Sequence, residues 1–135
     1  MNAPVDLLMR SYPSTPHSAR AARDFVVGEL RRATASERAV ADIELIVSEL
    51  VTNSVQYGSG VEIVVGVDAA TDGWFTVSVS SGIDGALPPL DQSSWTVAGA
   101  EMRSGRGLGI VRSLADDLSV AVTDDRLVIV CRRRR

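Results

Sequence analysis

The chain contains no lysine, and all 14 of its basic residues are arginine. That absence excludes a lysine-dependent phosphate loop and any Schiff-base chemistry. Histidine is almost as scarce. The single copy, His17, lies between Pro16 and Ser18, which leaves no pair of imidazoles for zinc and argues against a serine–histidine–aspartate triad. One cysteine, Cys131, excludes an internal disulfide framework and cannot form a metal cluster by itself. Apolar runs never approach the length of a membrane span. The N-terminus lacks the basic-then-apolar layout of a signal peptide, so a reducing, cytoplasmic setting is expected.

What is present fits one domain over residues 1–135, with 45% hydrophobic residues and enough chain to bury a core without staples. The net charge is −3, but Arg132 to Arg135 supply four of the positive charges. Without them, 10 arginines face 17 acids and the body carries −7. An acidic body with 4% aromatics lacks both the basic field and the stacking platforms of a nucleic-acid surface. The arginine run itself reads as a solvated, disordered terminus or as a contact for an acidic partner.

Local patterns divide the chain into alternating elements. Leu7 to Tyr12 reads as a short edge strand. Thr15-Pro16 then marks a helix start, threonine as N-cap and proline in the first turn, and the helix runs to about Ala33. Its buried face should hold Ala22, Phe25, Val26 and Leu30. Ser36 caps a second helix with Glu37 in its first turn, and Tyr57-Gly58-Ser59-Gly60 stops it. Val61 to Asp68 and Trp74 to Ser80 read as strands joined by a hairpin turn at Ala69 to Gly73. Ser81 to Ser104 has no clear period and suits a lid or binding loop. In it Trp95 reads equally as a lid anchor and as a partner contact, whereas Trp74 reads as packing at the hairpin. A third helix is predicted over Arg106 to Ala115, and a closing hairpin over Leu118 to Thr123 and Leu127 to Arg132. The order β-α-α-β-β-loop-α-β-β implies an α/β sandwich, with helices on one face of a mixed, mainly antiparallel sheet.

Two segments carry chemistry. In the second helix Val40, Ile43, Val47, Leu50, Val51 and Ser54 share one side, while Asp42, Glu49, Asn53 and Gln56 fall in a narrow sector elsewhere. A solvated polar face is one reading. Yet the sector also contains the apolar Ile46, which a purely solvated face would not favour. Asn53 offers a neutral oxygen suited to Mg²⁺, and Glu49, one turn earlier, can accept a proton from a group attacking a phosphate. The second segment is Gly105-Arg106-Gly107-Leu108-Gly109, whose glycines let backbone N–H groups approach a polyphosphate at a helix start. Tight packing of a helix on a sheet would also explain it. Arg103 and Arg106 flank the glycines, either as phosphate contacts or as surface residues. No βαβ unit surrounds the run, so it is not a dinucleotide-binding fingerprint.

In order and separation the two segments resemble a known family. Ser48-Glu49-Leu50-Val51-Thr52-Asn53-Ser54-Val55-Gln56-Tyr57 is similar to the N-box of the GHKL ATPases, the superfamily of gyrase and histidine kinases. Ser104 to Val111 is similar to its later glycine box. The short chain looks most like the bacterial anti-sigma-factor serine kinases, and no phosphoacceptor region supports a histidine-kinase reading. The resemblance implies a Bergerat-type fold that binds Mg·ATP under a lid over about 82–104. It implies a sigma factor and a STAS-domain antagonist as partners, the antagonist phosphorylated on serine, and a homodimer through the first strand and helix.

Carried over, Asn53 would ligate Mg²⁺, Glu49 would be the base, and Gly105, Arg106, Gly107, Leu108 and Gly109 would cradle phosphate. One departure stands out. Where the family has an aspartate for the adenine amino group, strand alternation places Ser81, with Asp84 three residues on. A serine accepts a hydrogen bond without a charge, and losing charge assistance costs about 1.5–3 kcal/mol, roughly ten- to over a hundredfold in affinity. Tyr57 likewise replaces a histidine. The alternative is therefore a partner-switching binding module on the same fold, with weak or no nucleotide binding.

Overall fold

The computed structural model describes residues 7–57, 62–83 and 103–135, with side chains in 103–106 and at Tyr57 excepted. The elements are β1 (Leu8–Tyr12), α1 (Ser18–Arg32), α2 (Glu37–Tyr57), β2 (Ile63–Asp68), β3 (Trp74–Gly82), α3 (Arg103–Leu114), β4 (Asp117–Thr123) and β5 (Arg126–Arg134). This is the predicted order. The strands form one sheet ordered β1-β2-β3-β5-β4. Every pairing among the described residues is antiparallel, where a mixed, mainly antiparallel sheet was expected. Two hairpins account for much of this. Between β2 and β3, the Asp68 carboxylate accepts from the Ala70 N–H at 2.9 Å and from the Thr71 hydroxyl, and Gly73 takes φ +80°, a conformation open to glycine. Between β4 and β5, Asp124 and Asp125 both sit at positive φ, as a two-residue hairpin turn requires.

Alternation along the strands buries one face of the sheet beneath the helices. Ile63, Val65, Val67, Phe75, Val77, Val79, Leu127, Ile129 and Cys131 meet Ala22, Phe25, Val26 and Leu30 of α1 and Val40, Ile43, Val47, Leu50 and Val51 of α2. These are the apolar faces read from the helical periodicity. Burying each large side chain contributes about 1.5–3 kcal/mol. Burial first, and the nearby Asp117 second, push the Cys131 thiol up to about 12, so it stays protonated and unreactive at neutral pH.

The helix starts differ in detail. Ser36 caps α2 as predicted, its Oγ accepting from the Ala39 N–H at 3.1 Å. Helix α1, however, begins at Ser18 rather than at Pro16. A turn intervenes, with the Ser18 N–H donating to the Thr15 carbonyl at 3.0 Å and the buried Ser18 hydroxyl donating to Pro13 O. His17 occupies the cap position without a side-chain cap bond.

The arginine run is the larger correction. It is neither a tail nor disordered: β5 extends to Arg134, and Arg132 to Arg134 pair with Thr76, Phe75 and Trp74. Alternation sends the guanidinium groups to both faces, where each finds a partner. Arg132 and Arg134 lie 4.4 and 5.2 Å from the Trp74 ring centroid, distances that suit cation–π attraction. On the helix side, Arg133 reaches Asp42 at 2.8 Å and Arg135 lies 4.4 Å over Phe75. Trp74 therefore packs at its hairpin as expected.

Candidate functional site

The site is built on the C-terminal half of α2. Two-thirds of the way along this helix the polar sector turns inward. Asn53 is only 5% exposed, and both its amide nitrogen and its amide oxygen are buried without a hydrogen-bond partner among the described residues. Leaving a buried polar group unmet costs about 1–3 kcal/mol, so such a group is rare unless something else satisfies it. The neighbouring Ser54 illustrates the ordinary solution, donating to the Leu50 carbonyl at 2.9 Å.

One turn earlier, Glu49 is half-buried and faces the backbone of α3. A methyl group added at Gly107 would overlap the Glu49 Oε2 and lie 3.4 Å from its Cδ. The two sequence motifs are thus in contact, and the glycine is what lets α3 come so close to the carboxylate. Leu108 and Val111, 1% and 0% exposed, fix α3 in that position. On the other flank, the Arg23 guanidinium donates to Ser48 Oγ at 3.1 Å and ties α1 to α2 one residue before Glu49.

Helix α3 starts at Arg103, three residues earlier than predicted. Gly105 and Arg106 therefore lie in its first turn, while Gly107 and Gly109 sit within the helix rather than ahead of it. The free N–H groups of a helix belong to its first four residues, so Gly105 is the glycine placed to offer one. Strand β3 runs two residues beyond the predicted end, and Ser81 pairs with Leu127 at its tip, 3% exposed. Asp84, Trp95 and most of the proposed lid fall outside the described residues.

The rest of the polar sector separates from this group. Asp42 is engaged by Arg133, whose Nε and Nη2 reach the same Oδ2 at 3.0 and 2.8 Å. Gln56 is exposed, and Ile46 is buried at 1% exposure. Sequence spacing gave no sign of Arg133, because it comes from β5 and not from the helix. Among the described residues no three His, Cys, Asp or Glu side chains cluster as a metal site. The donor set at Asn53 is one amide oxygen, which suits Mg²⁺ that keeps waters and takes other ligands from phosphate. Asn53, without a partner among the described residues, and Glu49 one turn earlier make a donor set that suits a Mg·polyphosphate.

A two-layer sandwich with this site defines a class, and comparison with known proteins identifies it. The profile of the histidine kinase-like ATPase domain matches residues 12–132. The chain belongs to that family. Its fold is similar to the crystal structure of the RsbU and RsbW domains of a Mycobacterium tuberculosis protein, with a TM-score of 0.69 and 23% identity. That match covers 98% of this chain, which spans about a third (33%) of the other. No curated protein matches. Among the described residues, no helix is long and apolar enough to cross a membrane.

Proposed function

We propose that the chain is an ATP-binding regulator, an anti-sigma factor and protein-serine kinase that phosphorylates a STAS-domain antagonist. The observation that carries this reading is the buried amide of Asn53, without a partner among the described residues, beside a carboxylate that touches the glycine helix. A family built to hold nucleotide explains why the fold tolerates that cost. In this reading Asn53 holds Mg²⁺, which neutralises phosphate charge. Gly105 and Arg106, in the first turn of α3, contact phosphate, while Gly107, Leu108 and Gly109 set the helix against α2. Glu49 takes the proton of the incoming serine hydroxyl, a role that ordinarily contributes 10²–10⁴-fold to rate. Ser81, or Asp84 from the loop, meets the base. Partner exchange between sigma factor and antagonist, in the cytoplasm, is the regulatory output.

Ser81 favours a second reading, in which the same fold switches partners with little or no help from nucleotide. Incubation with Mg·ATP and a STAS-domain antagonist separates the two. The kinase reading expects phosphoserine on the antagonist, and Glu49→Ala should lower its rate at least a hundredfold while leaving antagonist binding intact. Normal phosphorylation by that variant would remove Glu49 from its role, and no phosphorylation by the native chain would favour the binding module.

A further inference from the structure

Strand β3 turns Phe75, Val77 and Val79 into the core beneath the helices, and alternation gives Ser81 the same face. Ser81 is 3% exposed, and its hydroxyl makes no hydrogen bond among the described residues. Its neighbours across the sheet on that face are apolar: Leu127 of β5 and, beyond it, Val122 of β4. Val122 is 47% exposed, so the described helices leave this corner of the sheet open. Ser81 is a single hydroxyl at the margin of an apolar surface.

The end of the strand is fixed. Arg126 donates from Nε to Ser80 Oγ at 2.6 Å, and from Nη2 to the carbonyls of Ser80 and Glu62 at 2.9 and 3.2 Å. The Ile83 N–H donates to the Asp125 carbonyl at 3.1 Å. These contacts hold the backbone at Ser81 from both sides, and what stays free is the rotation of its hydroxyl hydrogen.

A hydroxyl both donates and accepts, whereas a carboxylate in its place would only accept. The inference rests on the nucleotide reading above, in which Ser81 meets the base. A purine with an amino group at position 6 presents a donor there, and one with a carbonyl presents an acceptor. A carboxylate matches the first and sets lone pairs against lone pairs in the second. Sites that leave a buried polar group unpaired reject the wrong ligand strongly. The Ser81 hydroxyl leaves neither base unpaired, because its hydrogen turns away from an amino group and toward a carbonyl. Contact through a water gives the same result, since water also donates and accepts. We propose that Ser81 makes the site indifferent to the 6-substituent, so that it takes 6-oxopurine nucleotides as readily as adenine nucleotides. Phosphate and Mg²⁺, rather than the base, then decide what occupies it.

Calorimetric titration of the full chain with Mg·ATP and with Mg·ITP tests this. Inosine carries a carbonyl at position 6 and lacks the 2-amino group of guanine, so it alters the edge facing Ser81 with no added bulk. The native chain should bind the two within about threefold of each other. Ser81→Asp should favour ATP over ITP by about tenfold or more, a ratio that a serine serving only to pack the strand end would not set. Asn53→Leu should lose both nucleotides together, which places them in one site. A native preference for ATP of about tenfold or more would overturn the proposal without recourse to any variant. So would a Ser81→Asp ratio equal to the native one, or ITP binding that survives Asn53→Leu. Binding of neither nucleotide by the native chain would instead remove the nucleotide reading, and the inference with it.

Discussion

The two halves of α2's polar face begin alike and end differently. Near the start, Asp42 is met by Arg133 through contacts of 2.8 and 3.0 Å. Farther along the same sector, Asn53 is more deeply buried than Asp42 and has no partner among the described residues. A polar group that the chain itself satisfies belongs to the architecture. One that is buried and unmet among the described residues calls for an explanation, and a bound ligand is one. On this comparison the first half of the helix is a strut between layers, and the second half carries the proposed site.

Altering Gly107 probes the site half most severely. In Gly107→Ala the new methyl displaces the Glu49 carboxylate, the flexible partner in the contact. The helix itself should not suffer, since alanine favours a helix by about 1 kcal/mol over glycine. Phosphoryl transfer is expected to fall ten- to a hundredfold with Tm unchanged or slightly raised, as read by a kinase assay beside a thermal melt. A loss of stability matching the loss of rate would make Gly107 merely a packing residue.

Asp42→Ala should show the opposite pattern. It leaves the Arg133 side chain, 15% exposed, without its acid, and removing one member of a partly buried pair is expected to cost about 2 kcal/mol. Denaturant unfolding reads that cost, and nucleotide affinity should not move. Were affinity to fall with stability, the two halves would be one coupled unit.

The smallest effect concerns Cys131. Its thiol is pushed up to about 12 in the folded chain, against an ordinary value near 8.5. A raised acid pKa contributes stability that is complete below the unfolded value and lost as pH rises toward the folded one. Stability should therefore be insensitive to this group up to about pH 8 and decline between there and pH 12. Alkylation at pH 8 should proceed only through unfolding, which a comparison of alkylation and unfolding rates would show.

The sequence made the layers legible because helical and strand periodicities are local properties. Val40 to Ser54 repeats at helical spacing, and β2 and β3 are rich in β-branched residues at the spacing of a strand. It also placed Glu49 and Asn53 on one face, since four residues fix that geometry. What it hid depends on distant pairing. Asp42 resembled its neighbours in the sector until Arg133 arrived from β5. The arginine run looked like a solvated end because a row of like charges is unfavourable in isolation. Once Trp74, Phe75 and Asp42 are brought alongside, those same charges suit a strand. The start of α3 was missed because glycines are poor helix formers, and here contact with α2 overrides the local preference.

The central claim is that the unmet amide of Asn53 is a Mg·nucleotide ligand. Calorimetric titration of ATP, with and without Mg²⁺, into the native chain and Asn53→Leu tests it most directly. Mg²⁺-dependent binding by the native chain is expected, with at least a hundredfold loss in the variant, whose fold should gain about 1 kcal/mol from losing an unsatisfied polar group. Equal binding by the two proteins, or no binding by the native chain at millimolar nucleotide, would contradict it.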